Sequence, residues 1–273
     1  MSTYALSTFL LRDWAREEAI AMIATSGFRE LELATEDGHW GNWVDEPTVL
    51  RKQLQAAGLV ARTVHSPSAG WNNGAPDPAL RQASVEAVAA SFRQAAEVGA
   101  EIVIVHANGA NSEYTEAKFR ENWARSRQSL SVLAQRAQEA GVKMALENLP
   151  RRGLPRPGGS VPQVLEFIEG LGDHVGVCLD AGHSNANGLS AAQEALAAGA
   201  KLLALHIQDN DGSGEDQHVL PGRGTTDWDA FLDALTELGF AGPRTFDVTK
   251  GDTPQALLTA LAALRDDWAG RWP

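Results

Sequence analysis

Eight times along this chain a short extended apolar segment is followed by a helical one, and that alternation leaves few folds open. Residues 4–9 precede a helical pattern over 14–25, 28–33 precede 47–57, 60–65 precede 79–98, and 101–106 precede 114–140. The second half repeats the arrangement, with 142–147 before 161–169, 174–180 before 190–198, 202–207 before 228–238, and 244–248 before 254–266. Gly27, Gly58, Gly99, Gly141, Gly172, Gly199 and Gly239 punctuate the helix ends, where a C-terminal glycine is favoured. Strictly alternating strands and helices imply a parallel sheet, and eight such units imply a closed (β/α)8 TIM barrel of the α/β class. With no linker or low-complexity tract in view, 1–273 reads as a single barrel domain. An open doubly wound sheet is the runner-up.

The period of two along a strand then sorts side chains by face. Thr63, Ile104, Ala145, Cys178, Ala204 and Thr245 fall in one inward layer, and His65, His106, Glu147, Asp180, His206 and Asp247 in the layer above. The upper layer lies at the C-terminal strand ends, where barrel active sites are built. A buried charged ring is costly unless it is paired or metal-bound. The stretch after the seventh strand adds Asp209, Asp211, Asp216 and His218, then Pro221-Gly222-Arg223-Gly224, and Asp227 as N-cap of a helix opened by Trp228. Acidic glycine-rich loops are often only solvated connections. Six charged strand ends in register are hard to explain as packing.

Composition removes several classes of function. The net charge is −12 with a pI near 5.0 and no long Lys/Arg run, which argues against nucleic acid as partner. No apolar run approaches the roughly 20 residues of a membrane span, and the N-terminus lacks the basic start of a signal peptide. Cys178 is the one cysteine, so no intrachain disulfide can form and a reducing, cytoplasmic setting fits.

The motifs, taken in order, resemble the xylose isomerase-like barrel superfamily, which holds sugar isomerases and epimerases and the endonuclease IV class. Its carriers are Glu32 in FRELEL, His65 in VHSP, His106 in VIVHAN, Glu147-Asn148 in ALENLP, Asp180 and His183 in LDAGH, His206 and Asp209 in LHIQD, and DQHVLPGRGTTDW. The epimerase branch implies one divalent cation held by Glu147, Asp180, His206 and Asp247, with Mn²⁺ or Mg²⁺ favoured by the hard donors and Zn²⁺ or Co²⁺ alternatives. It also implies an acid–base pair, Glu147 and Asp247, working through an enediolate on a sugar or sugar phosphate. Asp247 departs from the Glu usual there and is one methylene shorter. His183 is expected at the substrate; Arg223, in the loop after the seventh strand, is either a substrate contact or a solvated loop arginine, and His65, His106 and Trp71 are further contacts. The endonuclease IV class implies instead three zinc ions, for which His65, His106, His183, Asp216 and His218 supply the additional ligands. A metal-dependent dehydratase or lyase would use the same proton abstraction. The expected partner is a small carbohydrate; nucleic acid and membrane are not expected, and a homo-oligomer is compatible with the chain.

Other features carry less. Trp40, Trp43 and Trp71 sit in loops on the presumed site face, where aromatic rings either wall a pocket or pack loops to the rim. Glu32 is placed to orient a histidine rather than to ligate. Arg151, Arg152 and Arg156 offer either anion recognition or charge balance.

Overall fold

The computed structural model describes residues 4–109 and 113–272. Its strands are β1 (Tyr4–Ser7), β2 (Glu30–Ala34), β3 (Val60–His65), β4 (Ile102–Val105), β5 (Lys143–Glu147), β6 (Val175–Asp180), β7 (Leu202–Ile207) and β8 (Arg244–Phe246). Every neighbouring pair is parallel and β8 returns to β1, so the sheet closes as a barrel in chain order. The helices are α1 (Arg16–Thr25), α2 (Pro47–Ala56), α3 (Pro78–Val98), α4 (Glu116–Ala140), α5 (Val161–Ile168), α6 (Ala181–Ala186), α7 (Ala191–Ala198), α8 (Trp228–Glu237) and α9 (Pro254–Arg271).

The alternation along each strand separates two apolar layers. Outward residues such as Val103, Leu146, Leu179 and Leu205 join Phe92, Phe167 and Phe231 of the helices in one large core. Inward residues Ile102, Ile104, Ala145, Cys178 and Ala204 form a second, smaller cluster inside the barrel, with Thr63 and Thr245 also fully buried. This inner plug floors the site. Register keeps the polar layer level above it: Cys178 lies beside Ala204 and Asp180 beside His206. β8 is only three residues long, yet the Asp247 N–H donates to Ile207 O at 3.0 Å and continues the ladder to the site.

Local signals explain the ends of the elements. Asp77, Thr115, Ser190, Asp227 and Thr253 each accept a backbone N–H in the first turn of the following helix. Several boundaries differ from the periodicity. The first strand stops at Ser7, where Thr8–Leu11 tightens into a 3₁₀ turn, and α9 runs on to Arg271. The short α6 is not anticipated, because its six residues, AGHSNA, carry no amphipathic period.

Gly141 ends α4 at φ 73°, donating to Ala137 O, and a Cβ there would meet nothing within 4 Å. Gly141→Ala isolates the backbone cost of a left-handed residue. We expect it to lower stability by about 1–2 kcal/mol, read as a shifted urea midpoint at unchanged slope. An unshifted midpoint would show that the cap tolerates a side chain.

Candidate metal and active site

Glu147 ends β5 with its side chain 2% exposed, and four imidazoles converge on it. His106 Nε2 lies 2.8 Å and His65 Nε2 3.4 Å from Oε2, while His206 Nδ1 lies 3.0 Å and His183 Nδ1 3.3 Å from Oε1. Four strands and the α6 turn thus meet at one carboxylate. A second cluster adjoins it, where Asp216 receives His183 Nε2 at 3.3 Å and His218 Nε2 at 3.1 Å. Asp247 Oδ2 stands 3.3 Å from His218 Nδ1.

In each of His65, His183 and His218, Nδ1 is pinned by a backbone carbonyl. A carbonyl oxygen only accepts, so His65 Nδ1 donates to Ser66 O, His183 Nδ1 to Asn148 O and His218 Nδ1 to Asp247 O, each at 2.8 Å. Their Nε2 atoms are left facing the cluster. His206 is turned the other way: its Nε2 meets Glu32 at 3.0 Å and its Nδ1 faces Glu147. Glu32 is itself held by the Thr63 hydroxyl at 2.7 Å. One nitrogen fixed by a carbonyl or carboxylate and the other presented inward is the arrangement that orients metal-ligating histidines.

The Asp-x-x-His spacing has a local cause. Asp180 is the N-cap of α6 and its Oδ1 accepts the His183 N–H at 2.6 Å. That cap consumes one oxygen and leaves the other: Asp180 Oδ2 is buried with no hydrogen-bond partner among the described residues. Gly182 between them is required because the Gln208 side chain occupies the place where its Cβ would stand. Gln208 Nε2 bridges the two carboxylates, donating to Asp216 at 3.0 Å and Asp180 at 3.2 Å. An orphaned buried carboxylate oxygen ringed by oriented imidazoles fits a divalent cation. The ligand atoms of Asp180, His206 and Asp247 lie within 4.8 Å of one another, as do those of Glu147, Asp180 and His183. Two further groups, His65–Glu147–His206 and His183–Asp216–His218, meet the same limit. Asp247, although shorter than the expected Glu, still reaches the cluster.

Burial and charge oppose each other here. Burial alone would raise the Glu147 carboxyl and lower the imidazoles. His206 and His106 instead hold Glu147 well below the usual carboxylate range. Glu147, Glu32 and Glu36 raise His65 to about 9, and Asp180, Asp216 and Glu147 raise His183 to about 9, both against burial. For His106 burial wins and its pKa falls to about 4. Burial also pushes Asp180 up to about 6.

A cavity of about 260 Å³ opens above the cluster, lined by Glu147, Asp247, His65, His106, His183 and Arg152 among others. Two expected substrate contacts lie elsewhere. Arg223 is exposed and lines a separate depression with Leu220 and Lys250. The reason is Asp209, which gathers the N–H groups of Gly222, Gly224 and Thr226 and the Trp228 indole N–H, folding residues 220–226 away from the mouth, while Asp216 and His218 earlier in the same loop reach it. Asp209 is a loop staple, and Asp211 is exposed and bonds within its own loop. Trp71 lies in a groove beside the cavity. Trp40 and Trp43 are buried, their indoles bonded to Leu11 O and Ala34 O, and His39 is buried against Thr8. Arg156 is buried on Asn108 and balances nothing at the surface. Gln208 and Glu36 escape sequence reasoning, since nothing in their neighbours marks them as facing a site.

Fold and site together define a class: a (β/α)8 barrel carrying a histidine–carboxylate cluster at its C-terminal mouth. The chain belongs to the xylose isomerase-like TIM barrel family, whose model matches residues 20–267. It is 28% identical over 225 residues to an L-ribulose 3-epimerase of Mesorhizobium japonicum, covering 82% of this chain and 72% of that one. Among solved structures, an L-ribulose 3-epimerase superposes with TM-score 0.84 at 22% identity, covering 99% and 95% of the two chains. The IOLI protein with a bound zinc atom superposes with TM-score 0.83 at 19% identity, over 99% of each chain. No helix among the described residues is long and apolar enough to cross a membrane.

The raised imidazoles make a pH prediction for protein stripped of divalent ions. Both His65 and His183 lie above their ordinary 6.5 when folded, so their contribution is complete below about 6.5 and is lost as pH rises through about 9. The urea midpoint of chelator-treated protein is expected to fall between pH 6.5 and about 9.5. A midpoint that rises across that window would mean these rings are neutral in the folded chain.

Proposed function

We propose that this chain is a divalent-metal-dependent isomerase or epimerase acting beside the carbonyl of a small carbohydrate. The observation that carries the reading is the buried Asp180 Oδ2, which accepts no hydrogen bond among the described residues and lies beside Glu147, His206 and Asp247. These four residues would hold the ion; its hard donor set favours Mn²⁺ or Mg²⁺, with Zn²⁺ or Co²⁺ as alternatives. When bound, the ion would stabilise the enediolate oxygens that develop as a carbon-bound proton leaves. Relatives named as ketose and L-ribulose 3-epimerases and inosose isomerases support this class of reaction.

The chain's own groups supply the proton transfers. Glu147 and Asp247 both line the cavity, from β5 and from the end of β8, and both are held ionised by neighbouring imidazoles. One carboxylate removes the proton and the other returns it on the opposite face, which inverts the carbon. His183 and Arg152 at the wall are the proposed contacts to substrate hydroxyls, with His65 and His106 closing the side nearest Glu147.

Glu147→Gln and Asp247→Asn keep shape while removing basicity, so solvent deuterium uptake into a panel of ketoses and ketose phosphates with Mn²⁺ present should fall about 10²–10⁴-fold. Asp247→Glu should retain more activity than Asp247→Asn. Full exchange in metal-loaded Glu147→Gln would exclude Glu147 as the base.

A second reading follows from the adjoining His183–Asp216–His218 group, which would add ions of the endonuclease IV kind. The net charge of −12 opposes it. Zinc-loaded protein at low salt is expected to leave duplex DNA with a single abasic site intact. Efficient metal-dependent nicking would replace the epimerase reading.

A further inference from the structure

The central cavity is not the end of the recess. A groove of about 710 Å³ adjoins it between the loops after β2 and β3 and the face of α3, and Glu36 lines both. The chain passes from one to the other within a few residues: Ser68 borders the cavity, and Ala69, Gly70 and Trp71 border the groove. At about 260 Å³ the cavity falls just short of the roughly 300–1,000 Å³ of pockets that take drug-sized ligands, so it suits one sugar unit; the groove falls inside that range.

We propose that this groove is a subsite for a second sugar ring, so that the substrate is a ketose carrying a glycosyl group rather than a free monosaccharide. The inference rests on the epimerase reading for the ring in the cavity. Three observations choose the occupant. Trp71 is partly exposed, and its indole N–H donates no hydrogen bond and its ring meets no other ring among the described residues, so an apolar sugar face can lie against it. Glu36 Oε2 has no hydrogen-bond partner among the described residues, while Oε1 takes only the Ser68 hydroxyl at 3.4 Å. Glu36 lines both the cavity and the groove, so its carboxylate stands where the bond joining two rings would pass. Finally, Glu36 and Asp37 line the groove without any Lys or Arg, which disfavours a phosphate there and leaves a neutral ring.

The probes are D-fructose, maltulose and isomaltulose, the latter two carrying glucose on O4 and O6 and so leaving the carbonyl and its neighbouring carbon free. Deuterium uptake with Mn²⁺ is expected to give kcat/KM at least tenfold higher for one disaccharide than for D-fructose. Ala87→Phe, which fills the groove from α3, and Trp71→Ala should each bring that ratio towards one. A ratio at or below one in the unchanged protein, with D-fructose exchanging, overturns the subsite and leaves the epimerase reading standing. Saturation-transfer NMR of isomaltulose decides the matter without turnover. Saturation reaching both rings supports the subsite even if no ketose exchanges, and saturation confined to the ketose ring, or absent, overturns it.

Discussion

The site depends on one carboxylate, Glu147, clasped by four histidines at the top of the barrel. Removed from water, a lone carboxylate or a lone imidazolium would be driven neutral by the cost of desolvation. Interleaving the two kinds of group reverses that outcome, holding Glu147 ionised and His65 and His183 cationic against their burial. The cluster is therefore a charge-compensated array in which an ion can take the place of protons. Metal affinity in such an array is coupled to pH by the same groups that hold it together.

Around this array lies a layer of support that does no chemistry. Glu32 and Thr63 fix His206, and three backbone carbonyls fix His65, His183 and His218. Gln208 spaces Asp180 from Asp216. Because Glu147, Asp180, His65, His106, His206 and Asp247 stand at strand ends above Ile104, Ala145, Cys178 and Ala204, their separations are set by the sheet rather than by loops. Asp180 shows the economy of the arrangement: one oxygen closes a helix cap, and the other is left facing the cluster.

The loops decide what reaches that array. The one after β7 brings Asp216 and His218 to the cavity, but its second half is stapled outward by Asp209 and carries Arg223 with it, whereas the one after β5 brings Arg152 to the cavity wall. The loops after β2 and β3 part to leave the groove beyond Glu36. A shared barrel with differing loops is how this architecture changes substrate while keeping the residues at its strand ends.

Strand–helix alternation in the amino-acid sequence alone determined the barrel, and the period of two placed six charged strand ends above a layer of small and aliphatic residues. Both are legible because they are repeats: each strand must bury one face outward and one inward, and the residue types record that choice. Glu32 as a histidine's partner and Asp227 as a helix cap were legible for the same reason, since their roles follow from position within an element. What tertiary structure alone decided is who meets whom across the barrel. Arg223 and Trp71 lie on loops expected at the mouth, yet one folds outward and the other lines a side groove, because loop paths are set by contacts such as Asp209 with Gly222 and Gly224 that leave no periodic trace. Gln208, Glu36 and the unpartnered oxygen of Asp180 are likewise invisible in sequence. Their significance is an unmet or doubly met hydrogen bond, and that exists only once distant strands have been brought within three or four ångströms of each other.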